Sequence, residues 1–179
     1  MKKAINAFDY AGTIMNALRN GGVLLTSRGM GHVNTMTIGW GTLGVEWSLP
    51  VFVAYVREGR FTRELIDKSG VFTVNVPLEQ PNRKVLAAAG TSSGRNGDKI
   101  AALGLTLEEP DVVSCPGIRE FPLTLECRVL CRQKQDLSAL GEYYRKKYYP
   151  QDVASDAFGS NRDAHVAYYG EIASAYIIE

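Results

Sequence analysis

Apolar and polar positions along the chain alternate with two different periods. Over residues 9–20 the helical period dominates: Tyr10, Ile14, Ala17 and Leu18 fall on one face, Asp9 stands at the start, and Gly21 with Gly22 ends the segment. The run from Val23 then predicts a hairpin, with strands over 23–27 and 32–41 and a glycine-bearing turn at 28–31. VFVAYV, 51–56, is apolar without a break, so both its faces should be covered, one by the core and the other by a helix or a second subunit. A short helix over 62–69 and a strand over 71–76 follow. Pro77 to Pro81 interrupt the chain, 82–89 reads as helix, and GTSSGRNGD, 90–98, as a polar loop before a helical turn at 98–103. In LTLECRVLCR, 123–132, Leu123, Leu125, Cys127, Val129 and Cys131 alternate with Thr124, Glu126, Arg128 and Arg132, broken only at Leu130. That period of two predicts a half-buried antiparallel strand. A helix-like insertion over 136–149, a polar loop over 151–163, and a last strand over 165–178 with a bend or bulge at Gly170 complete the pattern.

About six strands with interspersed helices do not make the regular strand–helix alternation of a doubly wound sheet. The pattern predicts a mainly β fold with helices (α+β), an antiparallel barrel in one domain spanning 1–179. Composition agrees, with 45% apolar and 22% charged residues. Lys plus Arg number 20 against 19 acids, too balanced for the field that draws a protein to nucleic acid or a membrane surface. No apolar run reaches membrane-spanning length and no signal core follows Lys2 and Lys3, so a cytoplasmic location is expected. The three cysteines, Cys115, Cys127 and Cys131, do not form a disulfide framework. Cys127 and Cys131 on one strand would stand about 13 Å apart, too far to share a disulfide or a metal, and read as small core residues.

Candidate chemistry gathers in two places. The strand 32–41 carries Asn34, Thr35, Met36 and Thr37, followed by Gly39, Trp40, Gly41 and Thr42, small or hydroxyl-bearing positions against which a planar ligand could lie. After 51–56 comes REGRFTREL, where Arg57, Arg60 and Arg63 surround Phe61 and Thr62 at a helix start. A helix N-terminus with guanidinium and hydroxyl donors suits a phosphate; a solvated charged face is the other reading. Trp40 and Trp47 read as core or interface, and His32 as structural. His165 reads as an exposed strand-end residue, with the mouth of a pocket as the alternative. Tyr148, Tyr168 and Tyr169 are candidates for a cavity wall. GxxxxGK[ST] does not occur, and no triad, carboxylate pair or metal cluster is evident.

The run NTMTIGWGTLGVEWSLPVFVAYVREGRFTRELIDKSGVFTVNVP, 34–77, resembles the flavin reductase-like, FMN-binding split-barrel family, which includes flavoredoxin-like proteins. Asn-x-Met-Thr, a proline before an apolar strand, Arg-x-Thr at a helix start and F-x-V-N occur in that family's order. SGRNGDKIAALGLT, PLTLECRVL and YYGEI extend the likeness over about residues 10–178. The resemblance implies a six-stranded, Greek-key split β-barrel, a homodimer, and FMN as the group that carries the redox chemistry. It assigns Asn34, Thr35, Met36 and Thr37 to the flavin ring and ribityl chain. Gly41, Thr42, Arg57, Arg60, Phe61 and Thr62 go to the ribityl and phosphate, with Lys99 reaching in from the later segment; no protein side chain is assigned as catalytic, and His165 is the one candidate, as a histidine near the nicotinamide or substrate. It implies an NAD(P)H:flavin reductase or, alternatively, an electron carrier reduced by a partner protein.

Overall fold

The computed structural model describes residues 1–153 and 162–179, Asn96 by its backbone alone. Residues 154–161, the middle of the expected polar loop, lie outside the described residues. All six strands expected from the sequence form: β2 (Val23–Gly29), β3 (His32–Ile38), β5 (Leu49–Arg57), β6 (Val71–Val76), β9 (Leu123–Lys134) and β10 (His165–Ile178). Two more join the same antiparallel sheet, β1 (Lys2–Ala4) against the end of β10 and β4 (Gly41–Glu46) against β5. The order β3-β2-β6-β9-β10-β5-β4 separates β5 from β6, which follows it in sequence, as in a Greek key. The sheet curls until β3 comes back against β5, leaving a split between β3 and β4. A two-stranded ribbon, β7 (Leu107–Glu108) with β8 (Gly117–Ile118), lies apart. The helices are α1 (Ala11–Arg19), α2 (Phe61–Ser69), α3 (Arg83–Thr91), α4 (Lys99–Ala102) and α5 (Glu142–Tyr148).

Strand alternation builds the barrel interior. Phe52, Ala54 and Val56 of β5 meet Phe72, Val74 and Val76 of β6, Leu123, Leu125 and Cys127 of β9, and Tyr168 of β10, while Ile14 and Leu18 of α1 seal one end. Each large side chain removed from water here contributes about 1.5–3 kcal/mol. Outside the sheet, Leu24 packs under Leu86 and Ala89 of α3, Ile100 of α4, and Phe121. The opposite outer face, Val51 and Val53 of β5 with Ala167 of β10, is apolar too and is flanked by Tyr169, against whose ring exposed Trp47 lies at 6.3 Å. β10 breaks register between Tyr169 and Gly170. A Cβ at Gly170 would stand 2.5 Å from Phe72 Cζ and 2.8 Å from Cys127 Cβ, so the bulge brings backbone onto the core where no side chain fits.

Three expectations change. Asp9 does not cap a helix: Asn6 caps a 3-10 turn over 7–10 by accepting from the Phe8 N–H, and α1 begins after it. β9 is not half-buried along its length. From Leu123 to Cys127 both faces are buried, because segment 105–121 covers the side bearing Thr124 and Glu126. Glu126 accepts the N–H groups of Asp111 (2.7 Å), Val112 (2.7 Å) and Val113 (3.0 Å). Beyond Cys127 the strand runs out to solvent, so Cys131 is exposed rather than a core residue. None of the described helices is long and apolar enough to cross a membrane.

Candidate functional site: a cationic cleft at the start of α2

β5 ends at Arg57 and the chain turns through Glu58 and Gly59 into α2, with Arg60 as N-cap in extended geometry. No side chain caps this helix and the Arg63 N–H turns back to the Arg60 carbonyl, so the N–H groups of Phe61 and Thr62 keep their donor capacity and their positive field. Thr62 is buried, and its Oγ1 accepts from Asn34 Nδ2 at 2.8 Å, which ties β3 to α2. The Arg60 guanidinium makes no side-chain hydrogen bond or ion pair among the described residues and lines the cleft. Lys99 enters from α4, whose N-cap Asp98 accepts from the Ala101 N–H. Its ammonium, in a residue 7% exposed, donates to the Ala89 carbonyl at 3.0 Å. Burial, and next the Arg60 charge, lower its pKa to about 8. The segment between α3 and α4 closes the far wall. Its Gly94 lies so close to β3 that a Cβ there would collide with the Asn34 side-chain amide. The cleft holds about 120 Å³, and among the described residues no carboxylate lines it.

Met36 and Arg60 also border a second hollow of about 200 Å³, walled by Thr37 to Trp40, Tyr55, Arg57, Tyr148 and His165. The two hollows thus form one groove, cationic at one end and aromatic at the other. Arg57, in the wall of the aromatic end, donates to the carbonyls of Tyr148 (3.0 Å) and Asp163 (2.7 Å) and lies over the Tyr149 ring. His165 is buried rather than an exposed strand end. Its Nδ1 lies 2.7 Å from the Tyr149 hydroxyl, and its ring lies 4.8 Å from Trp40. The Tyr149 hydroxyl in turn donates to Gln135 at 2.9 Å.

Burial, and then the Arg57 charge, hold the His165 pKa down at about 4, so the ring is neutral at physiological pH. Between its ordinary value of 6.5 and about 4 the unfolded chain binds a proton that the folded chain refuses, so stability falls as pH drops through that window. An NMR titration of the His165 ring should show a midpoint more than one unit below 6.5; an ordinary midpoint would show an imidazole open to water.

The sequence-predicted residues divide. Asn34, Met36, Arg60, Phe61, Thr62 and Lys99 line the cationic end, and Met36, Thr37, Arg57 and Arg60 the aromatic end. Thr35 is buried within the sheet, where its hydroxyl meets Thr26 Oγ1 at 3.0 Å, and borders neither hollow. Gly41 faces a neighbouring hollow between α1 and β4 and packs on Phe52; Thr42 is exposed on β4. His32 is exposed, with its ring edge toward Phe61. Sequence reasoning passed over Arg95, Ser93 and Gly94, all in the cleft wall, and Trp40 in the groove. Two serines before a glycine and an arginine were the available signal for the first group.

The family model for the flavin reductase like domain matches residues 15–177. A protein of Archaeoglobus fulgidus is 35% identical over 102 residues, 57% of this chain and 56% of that one. The chain spans about half the length of the curated relatives it matches, 56% and 51%. Among solved structures, flavoredoxin from Methanosarcina acetivorans is similar at 25% identity and TM-score 0.62, over 88% of this chain and 69% of that one. The FMN-binding domain of a flavin reductases-like enzyme from Shewanella baltica, 18% identical at TM-score 0.62, shares the fold over 99% of this chain and 77% of its own. With its family model matched over 15–177 and its split sheet shared with these structures, the chain belongs to the flavin reductase like domain family.

Proposed function

We propose that the groove binds FMN and that the protein is an oxidoreductase of the NAD(P)H:flavin reductase type. One observation carries the reading: Arg60 and buried Lys99 face a single small cleft at an uncapped helix start, with no carboxylate among the described residues of its wall. Two cations so placed lack a counter-charge, and a phosphate monoester supplies one. Arg60, Thr62, Lys99 and the first N–H groups of α2 would hold the phosphate. Asn34, Met36 and Thr37 would border the ribityl chain and ring, and Trp40, Tyr148 and His165 would close the ring end. Flavin supplies hydride and electron transfer when bound; the chain orients it and excludes water. His165, kept neutral, offers a hydrogen-bonding nitrogen without adding charge.

Arg60→Ala is expected to weaken FMN binding about tenfold or more, and Thr62→Val several-fold, with little change in melting temperature. Calorimetric titration checks both, and unchanged affinity in the pair removes the phosphate assignment. A second reading, an electron carrier, draws support from the likeness to flavoredoxin. Mixing the flavin-loaded protein with NADH or NADPH without oxygen separates the two. Rapid bleaching of the flavin marks a reductase, and bleaching only by a reduced partner protein marks a carrier.

The apolar outer face of β5 and β10 supports a homodimer. Sedimentation should give a dimer, and Val53→Glu on this face with Trp47→Glu beside it should shift it to monomer. A wild-type monomer at micromolar concentration would overturn this assignment.

A further inference from the structure

The wall of the cationic cleft includes a side chain that the phosphate reading leaves unused. Arg95, from the segment between α3 and α4, reaches across to the start of α2. There it donates to the Gly59 carbonyl at 3.2 Å, pairs with the Glu64 carboxylate, and lies over the Phe61 ring at 5.5 Å. Its own segment is seated from the other side, since Gly94 leaves no room even for a Cβ against Asn34. The result is a strap fastened at both ends in the wall of a cleft of about 120 Å³.

Charge points the same way. Glu64 neutralises Arg95, so two positive charges, Arg60 and Lys99, remain for the ligand. A terminal phosphate monoester carries about −1.5 to −2 near neutral pH and matches them. In a flavin dinucleotide the phosphate at this position keeps one negative charge, a second phosphate carries another, and the chain continues through an oxygen that a monoester leaves free, past a wall that includes Arg95.

We propose that the Arg95–Glu64 strap makes this chain select a flavin mononucleotide against a flavin dinucleotide. The proposal rests on the flavin reading above and names the side chains that set its ligand class. A monoester ends inside the cleft and leaves the strap closed. A dinucleotide forces Arg95 off Glu64, the Gly59 carbonyl and the Phe61 ring together, so the larger ligand is rejected by the interactions it must break.

The test is calorimetric titration of the full chain with FMN, FAD and riboflavin, for wild type, Arg95→Ala and Glu64→Gln. Wild type is expected to bind FMN about 100-fold more tightly than FAD, and Arg95→Ala to narrow that ratio to about tenfold or less. Glu64→Gln, which keeps the shape but releases the arginine, should narrow it in the same direction. Circular dichroism melts within a few degrees of wild type show that these surface variants remain folded. A wild-type ratio within threefold, or variants that shift both flavins by one common factor, overturns the strap while leaving flavin binding intact. Riboflavin binding as tightly as FMN overturns the phosphate cleft itself, and failure of all three ligands to bind overturns the flavin reading and the strap with it.

Discussion

Lys99→Met is expected to lower FMN affinity by about 10- to 100-fold, because one charge-assisted hydrogen bond to a phosphate is worth about 1.5–3 kcal/mol. The same change should make the ligand-free protein more stable. In the absence of an anion the ammonium is buried beside Arg60 with one carbonyl as partner, so the fold bears a charge that water would solvate better. The pH dependence follows from the lowered pKa. Between about 8 and 10.5 the unfolded chain keeps a proton that folded Lys99 has released. Wild-type stability therefore gains from this group as pH rises through that window, whereas the methionine variant lacks the gain. FMN affinity behaves oppositely. Above about 8 the ligand must drive a proton back onto Lys99, so wild-type affinity declines there. Below about 6 both proteins lose affinity together as the phosphate takes up its own proton. Calorimetry at several pH values, with urea melts of the same samples, measures both trends. A variant that binds FMN as wild type does would place the phosphate elsewhere.

Glu126→Gln carries the largest stability loss, about 2–4 kcal/mol. The carboxylate accepts three backbone N–H groups through its two oxygens, on a residue with no exposed surface. An amide has one acceptor oxygen and turns an NH2 toward the remaining donors, leaving at least one buried N–H unpaired. For a chain of this size that loss is about 5–15 °C in melting temperature. Residues 109–118 should also gain protease sensitivity, since Glu126 is what fastens Asp111 to Val113 onto β9. A melt within one or two degrees of wild type would mean that water or another acceptor serves those donors equally well.

Glu126 also marks where the sequence stops being legible. Its alternation with Leu125 and Cys127 is that of a solvent-facing residue. The segment that buries it, 105–121, is nearly free of regular structure and carries no periodic signal. The six long strands were readable because each puts a two-residue period or an unbroken apolar run on the page. β4 was not, because its hairpin with β5 turns at Trp47 (φ 51°) and Ser48 (φ 60°), residues that rarely adopt left-handed backbone and are not the usual Asn-Gly signal. In the groove, Arg60 and Thr62 could be named because a phosphate suits guanidinium and hydroxyl donors at a helix start, whereas Lys99 came only from the likeness to a known family. Thr35 shows the limit: it shares a motif with Asn34 and Met36, yet strand alternation turns its hydroxyl to Thr26. Trp40 and His165 meet only through the return of the chain to β10, a distance of more than a hundred residues that no local pattern encodes.

Arg57 has a consequence of a different kind. By donating to the carbonyls of both Tyr148 and Asp163, one guanidinium gathers the two roots of the intervening segment against the end of β5. The end of α5 and the approach to the last strand are therefore held by a single side chain, so an uncharged residue at 57 would loosen both together, and with them the Tyr149 contact that orients His165.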